Sequence, residues 1–443
     1  MHLARLLLVL AMSTGVARAQ SGTGSSAIEV ERRLGPIVPQ VVAWRRSIHQ
    51  HPELSNREFR TAKLVAEQLQ RLGLEVRTGV AHTGVVGVLR GGKPGAVVAL
   101  RADMDALPVT EQGDLPFKSR VRTEYNGQQV GVMHACGHDT HVAILLGVAS
   151  LLAGMKAQLP GSVKFLFQPA EEGAPVGEEG GAPLMIREGA LSDPAPGAIF
   201  GLHAWPLSVG TISYRPGPAM AASDRMTITV TGKQTHGALP WDGIDPIVIA
   251  SQIVLALQTI PSRQLNTSRV PSIVTIGSMH GGNRGNIIPD SVVMEGTVRS
   301  FDEAIRKDIH ARVRRTAEHI AASAGATATV KIEENNFVTY NDPALTEQML
   351  PTLRRVAGSG NVQLGELSMP AEDFSHYQKK IPGLFIFLGV VPKGTDPSRA
   401  ARNHSPDFFA DEAALPLGVR TLAQLALDWL EARATLSAQT GAH

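Results

Sequence analysis

The order of predicted strands and helices changes twice along this chain of 443 residues, and this change limits the folds that it can form. Before Pro218, short apolar runs alternate with helical periodicity, which predicts an α/β domain whose mixed sheet has helices on both faces. From residue 225 to residue 333 the order is β-α-β-β-α-β, which is typical of a ferredoxin-like α+β unit. After Tyr340 the first pattern returns. The sequence therefore predicts a small α+β domain inserted into a larger α/β domain.

The predicted boundaries give the larger domain residues 27–217 and 333–436 and the inserted domain residues 218–332. In the larger domain we expect helices at 30–50, 58–72, 138–155, 345–357 and 412–432, and strands at 75–80, 85–89, 97–100, 162–167, 198–202 and 384–388. In the inserted domain we expect strands at 225–231, 272–279, 291–299 and 327–333, and helices at 246–259 and 302–323.

The first 19 residues have the features of a signal peptide. Arg5 precedes an apolar stretch from Leu6 to Ala17, and Ala17-Arg18-Ala19 fits a cleavage site with small residues. The low-complexity segment Ser21 to Ser26 is interpreted as a linker. An apolar N-terminal helix of a cytosolic protein is the alternative. We expect an exported protein, periplasmic or secreted, with no membrane span after cleavage.

The charge balance argues against a nucleic-acid partner. Lys and Arg number 42 against 40 Asp and Glu, without a basic stripe, and aromatic residues make up only 5% of the chain. The single cysteine, Cys136, cannot form an internal disulfide. In an oxidising compartment such a thiol is either buried and inert or bound to a ligand.

Cys136 and His138 are separated by one glycine, just before a predicted helix. Gly137 allows a tight turn, so the thiolate and the imidazole can converge on one cation. The alternative is a buried cysteine beside a helix N-terminus that Asp139 caps. His134 and His141 flank this pair, and we interpret them as surface residues rather than as outer-shell partners of a metal site.

Acidic and histidine side chains follow predicted strands elsewhere. Glu171 and Glu172 come shortly after one strand, His203 comes directly after another, and His404 lies in a loop before the last helix. Ligands of open α/β sheets gather at the carboxyl ends of strands, and adjacent carboxylates are costly without a positive group nearby. A metal site is one interpretation; a solvated acidic turn and structural histidines are the other.

Asp103 and Asp105 also follow a predicted strand. They could orient ligand histidines as second-shell hydrogen-bond acceptors. A structural turn before Pro108 is equally compatible with the sequence.

Six segments together resemble a known family: 103–108, 134–139, 168–173, 235–238, 372–374 and 404–406. In this order they resemble the dinuclear-metal aminoacylase and carboxypeptidase superfamily. More narrowly, they resemble its amidohydrolase branch of hippurate hydrolases, N-acyl-amino-acid amidohydrolases and plant auxin-conjugate hydrolases. The resemblance extends from about Val30 to the C-terminal helix.

The resemblance implies two divalent metal ions, zinc or manganese, in the larger domain and a lid domain that also forms a homodimer. It implies that Glu171 is the general base and that the metal ligands are Cys136, His138, Glu172, His203 and His404. It further implies that His236 on the lid contacts the substrate and acts in catalysis, and that Asn286 binds the substrate.

The expected activity is hydrolysis of the amide bond of a small N-acyl amino acid or related conjugate. A dipeptidase or carboxypeptidase of the same superfamily is one alternative, and a periplasmic solute-binding protein is an alternative of another class. The segment Ala174 to Glu179 departs from the family pattern because it adds acidic residues after the Glu pair. It leaves the substrate preference open.

Overall fold

The computed structural model describes residues 20–440 except residues 267 and 269, so the expected signal peptide lies outside the described residues. The α-helices are α1 (Gln20–Gln50), α2 (Phe59–Arg71), α3 (His138–Ala153), α4 (Gly181–Arg187), α5 (Pro246–Leu257), α6 (Glu303–Ser323), α7 (Pro343–Ala357), α8 (Phe374–Gln378) and α9 (Leu415–Thr440). None of these helices has both the length and the hydropathy needed to cross a bilayer.

The strands follow the same chain order. They are β1 (Glu75–Val80), β2 (Gly84–Arg90), β3 (Lys93–Asp103), β4 (Arg122–Tyr125), β5 (Gln128–Gly131), β6 (Pro160–Gln168), β7 (Ala198–Ser208), β8 (Ile212–Tyr214), β9 (Gly217–Met220), β10 (Ala222–Thr231), β11 (Thr235–His236), β12 (Ser272–His280), β13 (Ile287–Ile288), β14 (Ser291–Ser300), β15 (Thr327–Asn336), β16 (Thr339–Asn341), β17 (Val362–Leu364) and β18 (Gly383–Val391).

The larger sheet has eight strands in the order β1-β2-β6-β3-β7-β18-β8-β17. It is mixed, because β3 pairs in parallel with β6 and β7 while β2 pairs antiparallel with β1 and β6. Helices α1, α3 and α9 pack together on one face, and α4 and α8 cover the other. Helix α3 is apolar around nearly its whole circumference because helices and the sheet surround it. The predicted α/β domain with helices on both faces is confirmed.

The smaller sheet has four antiparallel strands in the order β12-β14-β10-β15. The period-2 pattern of β10 buries Met226, Ile228 and Val230 on the face that α5 and α6 cover. This core is separate from the cores of the larger sheet. The chain order β10, α5, β12, β14, α6, β15 matches the predicted ferredoxin-like unit, which we call the lid.

Two sequence predictions were wrong, and the second concerns a site residue. Helix α1 begins at Gln20, so the segment Ser21 to Ser26 is helical and not a linker. Strand β7 continues to Ser208, so His203 lies inside the strand and not after its end. Strand β7 is longer than predicted because it has two neighbours in the sheet. Its pairing with β3 stops at Gly201, whereas its pairing with β18 continues through His203 and beyond.

Candidate metal centre and active site

The chemistry-bearing residues meet where β3 and β6 end. Asp103 and Gln168 are the last residues of these strands and pair in register, and Glu171 and Glu172 follow Gln168 in the next turn. His203 lies two residues past Gly201, the last partner of β3 in β7. The site therefore lies at the carboxyl edge of the central strands, where open α/β sheets bind their ligands.

The loop before α3 brings Cys136 and His138 to this edge. Gly137 between them has a φ of +89°, which side chains with a Cβ rarely adopt, and a Cβ there would lie 2.9 Å from Cβ of Ala204. Sγ of Cys136 lies 3.5 Å from Nε2 of His203. The donor atoms of Cys136, His138 and His203 all lie within 4.8 Å of one another, so the thiol and the His138 imidazole converge as expected, and His203 of β7 joins them.

The His138 ring is oriented by Asp105. Its Nδ1–H donates to the Asp105 backbone carbonyl at 2.8 Å and lies 3.2 Å from Oδ1 of the same residue. In the neutral imidazole this contact leaves the lone pair on Nε2, which is buried without a hydrogen-bond partner among the described residues. It faces Oε2 of Glu171 and Oε1 of Glu172, both at 3.9 Å. A buried lone pair aimed at two carboxyl groups fits a metal ion between them.

A loop near the C-terminus completes the cluster. Nε2 of His404 lies 3.1 Å from Oε1 of Glu172. The backbone N–H of His404 donates to the carbonyl of Ala135 at 2.8 Å, and His404 has a φ of +72°. The amide of Asn403 donates to the carbonyls of Cys136 and Ala204, at 3.2 and 3.1 Å. Asn403 thus connects the segments that carry the expected ligands Cys136, His203 and His404. This role of Asn403 could not be predicted from the sequence.

The five sequence-predicted ligands form overlapping groups whose donor atoms lie within 4.8 Å of one another. These groups are Cys136 with His138 and His203, Cys136 with Glu172 and His404, and His138 with Glu171 and Glu172. A thiolate, imidazoles and a carboxylate form a donor set that suits zinc and similar divalent ions. The chemistry of the donor set and the unpartnered Nε2 of His138 therefore both fit a metal centre.

The electrostatics of the cluster call for a cation. Burial alone lowers the pKa of His138, but the carboxylates of Asp103 and Asp105 outweigh it and raise that pKa to about 10. Burial raises the pKa of the Cys136 thiol well above its usual value, and the carboxylates of Glu172 and Glu171 raise it further. A bound divalent ion would reverse both effects, because it favours the thiolate and the neutral imidazole.

Glu171 has a different environment from Glu172. Burial raises the pKa of Glu171 well above its usual value, and the carboxylates of Glu372, Glu172 and Asp373 add to this, while Arg101 opposes them. The guanidinium of Arg101 is fully buried and contacts Glu372 at 2.9 Å and Asp373 at 2.7 Å. A carboxyl group with a raised pKa is suited to accept and release a proton near neutral pH.

The carboxylates of Asp103 and Asp105 accept hydrogen bonds from different site histidines, His141 and His138. Asp103 accepts from Nδ1–H of His141 at 2.5 Å, and Nε2 of His141 accepts from the backbone N–H of Ala204 at 2.7 Å. Both nitrogens of His141 are therefore used, so His141 positions the backbone beside His203 and is not available as a ligand. Asp105 accepts from Ser55 Oγ at 2.8 Å and from the backbone N–H of Glu172 at 3.0 Å.

The interpretation of His134 and His141 as surface residues was wrong, because both are about 1% exposed. His134 has no hydrogen-bond partner on either ring nitrogen among the described residues, and burial lowers its pKa to about 3. The sequence also did not identify Arg101 or Glu372 as neighbours of Glu171. The spacing of three residues between His138 and His141 on one helix was the available signal for His141.

His236 and Asn286 lie on the lid, apart from the ligand cluster. His236 is in β11, which pairs with β13, and the backbone N–H of Gly237 donates to the carbonyl of Asn286 at 2.8 Å. Nδ1 of His236 accepts from the backbone N–H of Ala238 at 3.0 Å, so its Nε2 carries the proton. Both side chains are exposed. The two lid residues are thus neighbours of each other.

Comparison with known proteins agrees with this geometry. The family model for peptidase family M20/M25/M40 matches residues 99–428. Thermostable carboxypeptidase 2 of Saccharolobus solfataricus is 43% identical over 392 residues, covering 87% of this chain and 94% of that protein. N-acetyl-L-cysteine deacetylase of Bacillus subtilis is 38% identical, covering 89% and 90%.

A solved structure agrees as well. The YXEP protein of Bacillus subtilis, described as a dinuclear metal-binding peptidase of the M20 family, aligns with a TM-score of 0.74. It is 37% identical, and the alignment covers 90% of this chain and 99% of that one. The chain belongs to peptidase family M20/M25/M40.

Proposed function

We propose that this protein is a metal-dependent amidohydrolase that cleaves the amide bond of N-acyl amino acids. The observation that carries the proposal is the buried, unpartnered Nε2 of His138 facing Glu171 and Glu172. The amidohydrolase and peptidase names of the relatives support the same reaction class. They favour an enzyme over a solute-binding protein.

Cys136, His138, Glu172, His203 and His404 would hold two divalent ions, zinc or manganese. Such ions lower the pKa of water and polarise an amide carbonyl. Glu171 would take the proton from the attacking water and later deliver it to the leaving amine, as a general base does. Asp105 holds His138 in the tautomer that leaves Nε2 free, and Asp103 acts through His141 on the backbone beside His203.

The lid would supply the remaining substrate contacts. Nε2–H of His236 is free to donate a hydrogen bond to the oxyanion of the tetrahedral intermediate. Asn286, beside it, would contact the amino-acid part of the substrate.

We also propose a homodimer formed through the lid. Helix α5 exposes Val248 and Leu255 at 54% and 72% of their surface, and the neighbouring turn exposes Trp241 at 75%. Strand β12 is an edge of the lid sheet and exposes Ile273 and Met279. An apolar helix face beside an open sheet edge fits a second copy of the same surface, because symmetric interfaces match a patch to itself.

Export to the periplasm or the outside, after cleavage behind Ala19, remains part of the proposal. It is supported by the apolar stretch and the cleavage motif at the N-terminus. Sequencing the N-terminus of the protein recovered from the native cell envelope or medium tests it: a mature chain that begins at Gln20 is expected, and an intact Met1 in the cytosol would contradict it.

A carboxypeptidase is the second candidate, because a relative at 43% identity carries that name. A panel of acetyl-, benzoyl- and indoleacetyl-amino acids together with dipeptides, assayed before and after chelation, separates the two. We expect hydrolysis of the acyl-amino acids, loss of activity on chelation and recovery with zinc or manganese. Faster cleavage of the dipeptides would favour the peptidase, and activity that survives complete metal removal would contradict both.

A further inference from the structure

A cavity of about 480 Å³ opens beside Glu172, and all of its lining residues lie between Pro52 and Pro175. One part of the wall is β4 with the following turn residue Asn126, and another part includes Gly173 and Pro175. Cavities that bind small molecules have volumes of about 300–1,000 Å³. The cavity is thus large enough for a ligand group and lies within the larger domain, next to the candidate metal ligands.

The surface of the cavity is mainly neutral. Leu54, Ala106, Leu107, Val121 and Val132 contribute apolar groups. The charged lining residues Glu53, Arg57 and Glu172 already have partners, and Oε1 of Glu172 lies 3.1 Å from Nε2 of His404. The carboxylate of Glu53 accepts from the backbone N–H groups of Arg60 and Thr61, both at 2.9 Å, and Arg57 is paired with Glu178. At the rim, Arg122 and Glu124 are exposed and of opposite sign. The lining therefore offers burial for an uncharged group.

The segment Ala174 to Glu179, which departs from the family pattern, contributes Pro175 to the lining and is held in place by contacts of Glu178 and Glu179. The guanidinium of Arg57 contacts both carboxylate oxygens of Glu178, at 2.5 and 3.1 Å. The amide of Asn56 donates to Glu178 Oε2 and to the carbonyl of Glu179, both at 3.0 Å. Contacts that fix a wall before the ligand arrives reduce the ordering cost of binding.

We infer that this cavity binds the acyl group of the substrate and selects neutral acyl groups larger than acetyl. The inference rests on the proposed function, since the scissile carbonyl must reach Glu171 and the candidate metal ligands. The acyl group then enters the adjoining cavity, whereas the amino-acid half faces His236 and Asn286 on the lid. An aromatic acyl group would bury apolar surface against Leu107 and Val121, and an acetyl group would leave most of the cavity unfilled.

Filling the cavity tests the inference. Thr123 lies on β4, lines the cavity and is partly buried, so Thr123→Trp places an indole ring in the space. Thr78→Trp is the matched control, because Thr78 is exposed on edge strand β1 outside the cavity. The probes are N-benzoyl-L-alanine and N-acetyl-L-alanine, with circular dichroism and metal content confirming that each variant is folded and loaded. Val121→Phe is a second, milder filling variant.

The wild type is expected to have a kcat/KM about tenfold or more higher for the benzoyl than for the acetyl substrate, a range that pocket filling reaches. Thr123→Trp should lower the benzoyl value by about tenfold, mostly through KM, and leave the acetyl value within about twofold. Thr78→Trp should change neither. Equal losses on both substrates, or no loss in either cavity variant, would overturn the inference.

Failure of the proposed function can be distinguished from failure of the cavity assignment, because binding is measured separately from hydrolysis. Calorimetric titration with N-benzoyl-L-alanine reports the cavity even if no amide is cleaved. If the wild type hydrolyses neither probe but Thr123→Trp loses binding while Thr78→Trp keeps it, the activity proposal fails and the binding site stands. Binding that is the same in all variants overturns the cavity assignment.

Discussion

Cys136 is the proposed metal ligand whose chemistry would depend most on a bound ion. In the holo protein its thiolate would be coordinated and slow to react with a small thiol reagent. After chelation we expect labelling, and the rate should keep rising with pH beyond about 8.5, the usual thiol pKa, because burial and the carboxylates of Glu172 and Glu171 raise the pKa of this thiol. Equal labelling with and without chelator, or a metal content unchanged in Cys136→Ser, would exclude the ligand role.

Asp105 is expected to act on metal binding through His138. Asp105→Asn removes the carboxylate that orients the imidazole and accepts from the backbone N–H of Glu172. Loss of such a partner typically weakens metal affinity by about 10–100-fold. Competition with a chromophoric chelator measures this, with Ser55→Ala as the milder variant because it removes a single hydrogen bond to Asp105. An affinity unchanged in Asp105→Asn would show that His138 does not depend on this contact.

The sequence identified residues near strand ends better than residues buried behind them. Cys136, His138, Glu171 and Glu172 stand in short motifs whose chemistry is unusual at such places, so the cluster could be predicted. Arg101 could not be assigned, because its partners Glu372 and Asp373 are about 270 residues away in the chain. Only the pairing of β3 with its neighbours and the position of α8 bring these charges together.

At the level of elements, most strands and helices could be predicted from periodicity, and the misses have physical causes. The β4–β5 hairpin was missed because Arg122 to Tyr125 has no apolar face. Its signal was the turn Asn126-Gly127, where both residues have positive φ, at 51° and 77°. Strand β7 was predicted too short, because polar His203 interrupts the apolar run while β18 continues the ladder.

A buried ion pair in the lid leads to a prediction on stability. Asp224 on β10 accepts a hydrogen bond from Nε of Arg306 on α6 at 3.0 Å and another from Nε2 of His310 at 2.6 Å. Asp224 and Arg306 are buried, and His310 is partly buried. Arg306→Ala leaves the Asp224 carboxylate buried without its guanidinium, so we expect a loss of about 3–5 kcal/mol in lid stability. Hydrogen exchange of β10 and α6 amides measures it.

The control is Arg312→Ala on the same helix, which removes a pair with Asp308 and a hydrogen bond to Gln264 Oε1 and should cost about 1 kcal/mol or less. The pH dependence has a defined sign. Burial alone raises the pKa of Asp224, but His310 and Arg306 lower it below its usual value. The contribution is therefore present above about pH 3.9, the unfolded value, and is lost as the pH falls through the lower folded pKa. A lid stability unaffected by Arg306→Ala would contradict this account.

At the scale of the whole molecule, the proposed homodimer predicts that charge on α5 separates the subunits. Val248→Glu combined with Leu255→Glu places carboxylates on the exposed apolar face. We expect the mass measured by light scattering to halve, with the metal content unchanged. Lys307→Glu on α6 serves as a control for the added charge. A wild type that is monomeric at micromolar concentration would exclude the dimer.

The dimer also allows a test of His236. His236→Ala should depress turnover with metal content intact, since His236 is on the lid and outside the ligand cluster. If the lid of one subunit serves the site of its partner, mixing His236→Ala with Glu171→Ala should restore part of the activity in hybrid dimers. No recovery despite demonstrated subunit exchange would mean that His236 acts within its own subunit.

The central claim is that adjacent Glu171 and Glu172 have different roles, base and metal ligand. The decisive measurement is metal stoichiometry together with kcat for Glu171→Gln and Glu172→Gln. We expect Glu171→Gln to retain about two ions per chain and to lose about 10²–10⁴-fold in kcat, the usual contribution of positioned proton transfer. Glu172→Gln should lose or weaken one ion, because an amide is a poorer ligand than a carboxylate. Metal loss in Glu171→Gln with retention in Glu172→Gln would reverse the two roles, and full metal with full activity in both would contradict the active site described for this protein.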